Sequence, residues 1–164
     1  MIIDCHGHFT TAPAAHGAFR QAQLDRLETQ LSGRPSLPMP EPGAISDEEL
    51  RESVEGNQLR LLRQRGTDLT VFSPRASAMG HDVADPATAQ AWARACNDLI
   101  YRVTTLFPGN FAGVAQLPQV ANEPLKTSVG ELERAVTELG FVGCNLNPDP
   151  AGRWATAWPS WNGA

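Results

Sequence analysis

The chain is poor in cysteine, in long apolar runs and in clustered positive charge, and each shortage removes a class of protein. Its three cysteines among 164 residues, Cys5, Cys96 and Cys144, are odd in number, far apart and contain no Cys-x-x-Cys pair, so neither a disulfide framework nor a thiolate metal cluster is expected. With no secretory leader ahead of the first apolar run, a reducing, cytoplasmic setting is the expectation. Apolar stretches such as Leu69 to Phe72 fall far short of the roughly 20 residues that a membrane span requires. Lys and Arg nowhere cluster and the net charge is −5, which argues against a nucleic-acid phosphate track and for a small-molecule partner.

What is present suits one globular domain with a real core, since 41% of residues are hydrophobic. The chain opens with a strand-like apolar run, Met1 to Ile3, followed by Asp4-Cys5-His6-Gly7-His8. In extended backbone alternate side chains share a face, so His6 and His8 can turn both imidazoles toward one divalent ion. Gly7 between them carries no side chain to crowd a ligand. The competing reading is an exposed histidine pair that binds nothing.

An amphipathic stretch near Phe19 to Leu31 precedes Pro35, Pro38, Pro40 and Pro42. That proline cluster predicts a loop, and an insertion of this length from Phe9 to Ala44 is often a lid. Ser46-Asp47-Glu48-Glu49 has the form of a capping box and predicts a helix running to Gly66. Asp68 to Ser73 follows as a buried strand. Asp85-Pro86 then starts a helix whose apolar residues, from Trp92 to Leu106, recur every three or four positions. Phe111 to Leu117 predicts a third strand, Pro124 to Leu139 a further helix and Phe141 to Leu146 a fourth strand. Strands alternating with helices make the class α/β, with about four parallel strands.

In such folds chemistry gathers at the strand ends. Arg75, after the second strand, can grip a carboxylate through its planar fork, although a surface arginine paired with an acid fits the same position. Asn145 and Asn147 share a strand face and can donate to substrate oxygens; turn capping before Pro148 competes for Asn147. His81-Asp82 has the composition of a catalytic pair or could supply a third metal ligand, but such a loop histidine is more often simply solvated. Cys96 and Cys144 are expected in the core, and Cys5 on the face opposite the histidines.

Together, Asp4-Cys5-His6-Gly7-His8, Gly66-Thr67-Asp68, Ser73-Pro74-Arg75, Leu117-Pro118-Gln119 and Asn145-Leu146-Asn147-Pro148-Asp149-Pro150 resemble the amidohydrolase superfamily. The closest resemblance is to the branch that contains aminocarboxymuconate semialdehyde decarboxylase and the hydratases acting on 4-oxalomesaconate. The resemblance covers residues 1–150 and implies the N-terminal half of a metal-dependent (β/α)8 TIM-type barrel. It implies that His6 and His8 hold zinc or a similar divalent ion, and that Arg75 anchors an unsaturated keto-carboxylate to which water is added. Decarboxylation at a similar site is the alternative within the branch. The family's remaining metal-binding and catalytic residues come from strands five, six and eight, and no histidine follows His81.

Residues 151–164 hold Trp154, Trp158 and Trp161 without helical or strand period. They are expected to be an irregular tail, the mark of a truncated or frame-shifted product, with a short natural tail over the sheet as the other reading. A half barrel would leave sheet edges open to self-association. An inactive fragment that binds metal weakly is accordingly the competing functional expectation.

Overall fold

The computed structural model describes residues 1–75, 85–121 and 123–146. Four strands, β1 (Ile3–Phe9), β2 (Leu69–Pro74), β3 (Phe111–Gln116) and β4 (Gly143–Asn145), form one parallel sheet in the order β1-β2-β3-β4. A doubly wound sheet reverses its strand order at a switch point, whereas a barrel advances one strand at a time. Only the second pattern occurs here. Among the described residues β1 and β4 are each paired on one side only.

Helices connect the strands: α1 (Ala14–Leu31), α2 (Asp47–Val54), α3 (Arg60–Arg65), α4 (Pro86–Leu106) and α5 (Val129–Thr137). The capping box forms as expected, with Glu49 N donating to Ser46 Oγ at 3.1 Å and Ser46 N to Glu49 Oε2 at 2.8 Å. The helix that follows is interrupted by a π-helical turn, Glu55–Leu59. The wider turn matches the five-residue step from Val54 to Leu59, so both reach the core beside Leu50. Gly66 ends α3 in the left-handed conformation, φ 69°. Asp85 caps α4 by accepting from Thr88 N at 2.8 Å.

The main core lies between one face of the sheet and the helices, where Phe72, Phe111 and Ala115 meet Leu50, Ile100 and Val103. Cys144 packs against this core. Cys96 is buried in a second cluster with Phe19, Ala89 and Trp92, between α1 and α4. Burial pushes both thiols up from their ordinary range, so neither offers a thiolate. Arg26 of α1 reaches Asp85 at the start of α4 at 2.7 Å and clamps the two helices together.

The elements differ from the sequence reading at four places. The first strand does not end at Ile3. It runs through both histidines to Phe9, because parallel pairing with β2 continues as far as Phe9 opposite Pro74. A bulge interrupts that register between Asp4 and Gly7, and the displaced His6 N–H turns to Asp4 Oδ1 at 3.2 Å. α1 begins five residues before Phe19, and the expected helix over 124–139 divides into a short 3₁₀ turn, Leu125–Ser128, followed by α5. β4 is only three residues long. Phe141, expected within it, instead fills the space above Gly113, where a Cβ would collide with its ring.

Candidate metal and carboxylate site

His6 and His8 project from the C-terminal half of β1 with their Nε2 atoms 2.9 Å apart and their rings perpendicular. The arrangement depends on the neighbouring strand. Ser73 is the register partner of His8, and its Oγ lies 2.7 Å from His8 Nδ1 and 3.1 Å from Gly7 O. Because Gly7 O can only accept, the Ser73 hydroxyl donates to it and receives the His8 Nδ1 proton; Pro74 O stands behind at 3.3 Å. That assignment leaves the His8 Nε2 lone pair facing His6, whose Nε2–H completes the contact.

The pair fits two positions of a divalent ion's ligand shell. Two nitrogens about 2.1 Å from one ion lie about 3.0 Å apart at a right angle and about 3.4 Å apart at the tetrahedral angle, so the observed 2.9 Å is close to the right-angle value. Histidine ligands also normally hand their second ring nitrogen to an oxygen, as His8 does to Ser73. No cluster of three or more possible ligands occurs among the described residues. Cys5 is exposed and belongs to no such cluster.

Gly7 has a different role from the one its position suggested. A Cβ there would collide with Thr70 Cγ2 and press on the Phe72 ring, so the missing side chain permits close packing of β1 on β2.

Arg75 follows β2 directly, is exposed, and makes no ion pair among the described residues. It lines a pocket of about 210 Å³ between the ends of β1 and β2 and the helices α1 and α4. Asn145 ends β4 and pairs in register with Gln116 at the end of β3. Asn145 Nδ2 and Gln116 Oε1 are both buried without a partner among the described residues. His8, Ser73, Gln116 and Asn145 alternate with core residues Phe9, Phe72, Ala115 and Cys144 along their strands. They therefore share the sheet face turned away from the helices. Asn147, the His81-Asp82 pair and residues 151–164 lie outside the described residues.

Sequence reasoning gave Ser73 and Gln116 no individual role. Ser73 was findable by counting alternation along β2; Gln116 stood at a strand end but lacked a chemical signature of its own. No helix among the described residues is long and apolar enough to cross a membrane.

Comparison with known proteins agrees with this architecture. Over 152 residues the chain is 55% identical to a 2-keto-4-carboxy-3-hexenedioate hydratase from Sphingobium sp. (strain NBRC 103272 / SYK-6), a match covering 93% of this chain and 43% of that protein. The crystal structure of a 4-oxalomesaconate hydratase from Rhodopseudomonas palustris superposes with a TM-score of 0.82 at 44% identity, covering 95% of this chain and 47% of that one. A dihydroxybenzoic acid decarboxylase from Polaromonas sp. JS666, crystallised with manganese, superposes at 0.53 with 24% identity, covering 89% of this chain and 38% of that one. The chain thus spans less than half the length of these relatives. Residues 3–164 match the amidohydrolase family, and with four parallel strands advancing in barrel order the chain belongs to that family.

Proposed function

We propose that this chain is the metal-binding N-terminal half of a hydratase that adds water to 4-oxalomesaconate or a closely similar unsaturated keto-carboxylate. The observation carrying this reading is the convergence of His6 and His8 Nε2 at the end of β1, with the His8 tautomer held by Ser73. The 55% identical hydratase favours this reaction over others of the family.

His6 and His8 would hold the ion, zinc or manganese, and the remaining ligands would come from beyond the described residues. Such an ion supplies Lewis-acid charge and brings water nearer to deprotonation at neutral pH. The other tasks fall to this chain's own side chains. Arg75 presents two parallel N–H donors to a substrate carboxylate and neutralises its charge. Asn145 Nδ2, buried without an acceptor among the described residues, offers a donor to a substrate oxygen on the face shared with His8. A fixed donor of this kind favours the form of the substrate in which negative charge grows on that oxygen.

A second reading, decarboxylation of an aromatic acid, has one observation in its favour. Over 94 residues the chain is 34% identical to a gamma-resorcylate decarboxylase from Polaromonas sp. (strain JS666 / ATCC BAA-500), covering 57% of this chain and 28% of that protein. The test is to load the chain with zinc and separately with manganese, and to supply 4-oxalomesaconate and 2,6-dihydroxybenzoate. Loss of the substrate's conjugated absorbance, abolished by His6→Ala, is the expected result. Carbon dioxide release from the aromatic acid would favour the second reading. Metal binding without either reaction would leave an inactive fragment.

A further inference from the structure

We infer that Gln116 and Asn145 together form a subsite for a ligand hydroxyl, so that the polar face of the sheet selects a hydroxylated organic acid. The inference rests on the proposal above that this face takes a carboxylate substrate, and it specifies which form of that substrate is held. Gln116 closes β3 and Asn145 closes β4, and the two are register partners. Neighbouring strands run about 4.8 Å apart, so the amides of two register partners on one face can meet at a single atom.

The two amides offer complementary groups. Asn145 Nδ2 is a donor and Gln116 Oε1 an acceptor, both buried and neither with a partner among the described residues. Buried polar atoms normally have one. Gln116 Nε2 donates to Leu117 O at 3.4 Å, which leaves Oε1 as the open end of the amide. A carbonyl or carboxylate oxygen can only accept and would answer Asn145 alone; an ammonium can only donate and would answer Gln116 alone. A hydroxyl does both through one oxygen. The oxygen that Asn145 meets then carries a proton, and Gln116 accepts it. Water added across the double bond of an unsaturated acid leaves such a hydroxyl on carbon, so the subsite fits the hydrated form better than the unsaturated one.

The glutamine is also held in place from the helix side. Asn97, fully buried in α4, accepts from Gln116 N and donates to Gln116 O. Its second amide proton goes to Glu131. Asn97 thus uses its whole amide within the fold, whereas Gln116, at 2% exposed, keeps its side-chain oxygen for something else. Because Asn97 grips the Gln116 peptide and not its side chain, the acceptor is positioned before any ligand arrives, which lowers the ordering cost of binding.

The test measures binding to the full chain by isothermal titration in zinc-containing buffer, with citramalate and 2-methylsuccinate as probes. These acids differ only by a tertiary hydroxyl. Citramalate is expected to bind about tenfold or more tightly, since its analogue leaves the donor and the acceptor unpaired. Gln116→Met should abolish this preference by weakening citramalate alone. The substitution keeps both backbone contacts to Asn97 and removes only the long Nε2 bond, and the urea midpoint checks that the fold is retained. Asn145→Leu should remove the preference from the donor side. Arg75→Met should weaken both acids and leave their ratio unchanged. Equal binding of the two acids, or a preference that survives both Gln116→Met and Asn145→Leu, overturns the hydroxyl subsite and leaves the carboxylate reading standing. A preference lost in His6→Ala but kept in Gln116→Met assigns the hydroxyl to the metal instead and equally overturns the subsite. Binding of neither acid overturns the carboxylate reading itself, and the subsite with it.

Discussion

The helix layer behind β3 and the strand ends of β1 and β2 treat charged groups in opposite ways. Behind β3, Asn97 of α4 accepts from Gln116 N at 2.8 Å and donates to Gln116 O at 3.0 Å and to Glu131 Oε1 at 2.7 Å. Arg134 grips both oxygens of Glu131, at 2.7 and 3.0 Å, and reaches Asp98 at 2.9 Å. There the charged groups answer one another and α4, α5 and β3 are joined. At the β1–β2 end, the His6–His8 pair is turned outward and Arg75 has no acid partner among the described residues. Charge satisfied within the fold holds the barrel wall together; charge left without an internal partner is what a ligand can use.

The sharpest way to break this contrast is Glu131→Ala. The Glu131 side chain is 1% exposed and that of Arg134 13%, and hydrogen bonding to Glu131 holds the guanidinium above its ordinary range. Removing Glu131 leaves Arg134 only its contact to the exposed Asp98 and takes an acceptor from Asn97, so the cost should lie near the lower end of the range for breaking a buried pair, about 3 kcal/mol. The urea midpoint should fall accordingly, while zinc affinity of the folded protein, measured by equilibrium dialysis, stays within about twofold, since neither proposed ligand, His6 or His8, changes. A loss under about 1 kcal/mol would mean that the network is surface decoration.

His16 sharpens the boundary between the two regions, because it is neither exposed like His6 nor part of the network. Burial against Trp92 lowers its pKa from 6.5 to about 4. Between those values the unfolded chain binds a proton that the folded chain refuses. Stability is therefore fully present above about pH 6.5 and is lost as pH falls toward 4, by up to about 3 kcal/mol before allowing for its partial exposure. His16→Phe keeps an aromatic ring on Trp92 and cannot titrate. Urea midpoints at pH 7 and 4.5 should differ less in this variant than in the parent, and an equal difference in both would locate the pH dependence elsewhere.

These contrasts also explain what the sequence made legible. Helix boundaries set by local chemistry were readable at Ser46, Asp85 and Gly66, because each cap involves neighbours within a few residues. The His-x-His pair and Arg75 were readable as chemistry. The extent of β1 was not, since Cys5-His6-Gly7-His8 lacks an apolar alternation and is made strand by Leu69–Pro74 across the sheet. The network behind β3 joins residues 19 and 34 positions apart, a proximity that only the folded sheet creates. Arg20 lay inside the stretch that periodicity could identify as helix, without indicating which residues would face a cavity, and His16 and Gly17 lay ahead of that stretch in the part of α1 that periodicity missed.

The smallest expected effect tests how far the outward-facing region depends on its support. Ser73→Ala removes the group that fixes His8 Nδ1–H and leaves only the longer contact to Pro74 O. Orienting partners of metal-binding histidines typically contribute about 10–100-fold in metal affinity. Zinc affinity should fall within that range by isothermal titration. The urea midpoint should move by no more than about 2 kcal/mol, the share of the two hydrogen bonds that the Ser73 hydroxyl makes. Ser73→Cys keeps a weak donor and acceptor and should recover part of the loss. If Ser73→Ala instead lowers stability strongly and leaves zinc binding untouched, Ser73 is a strand-packing residue like Gly7. The contrast between a wall that satisfies itself and a site held ready for a ligand would then fail at this position.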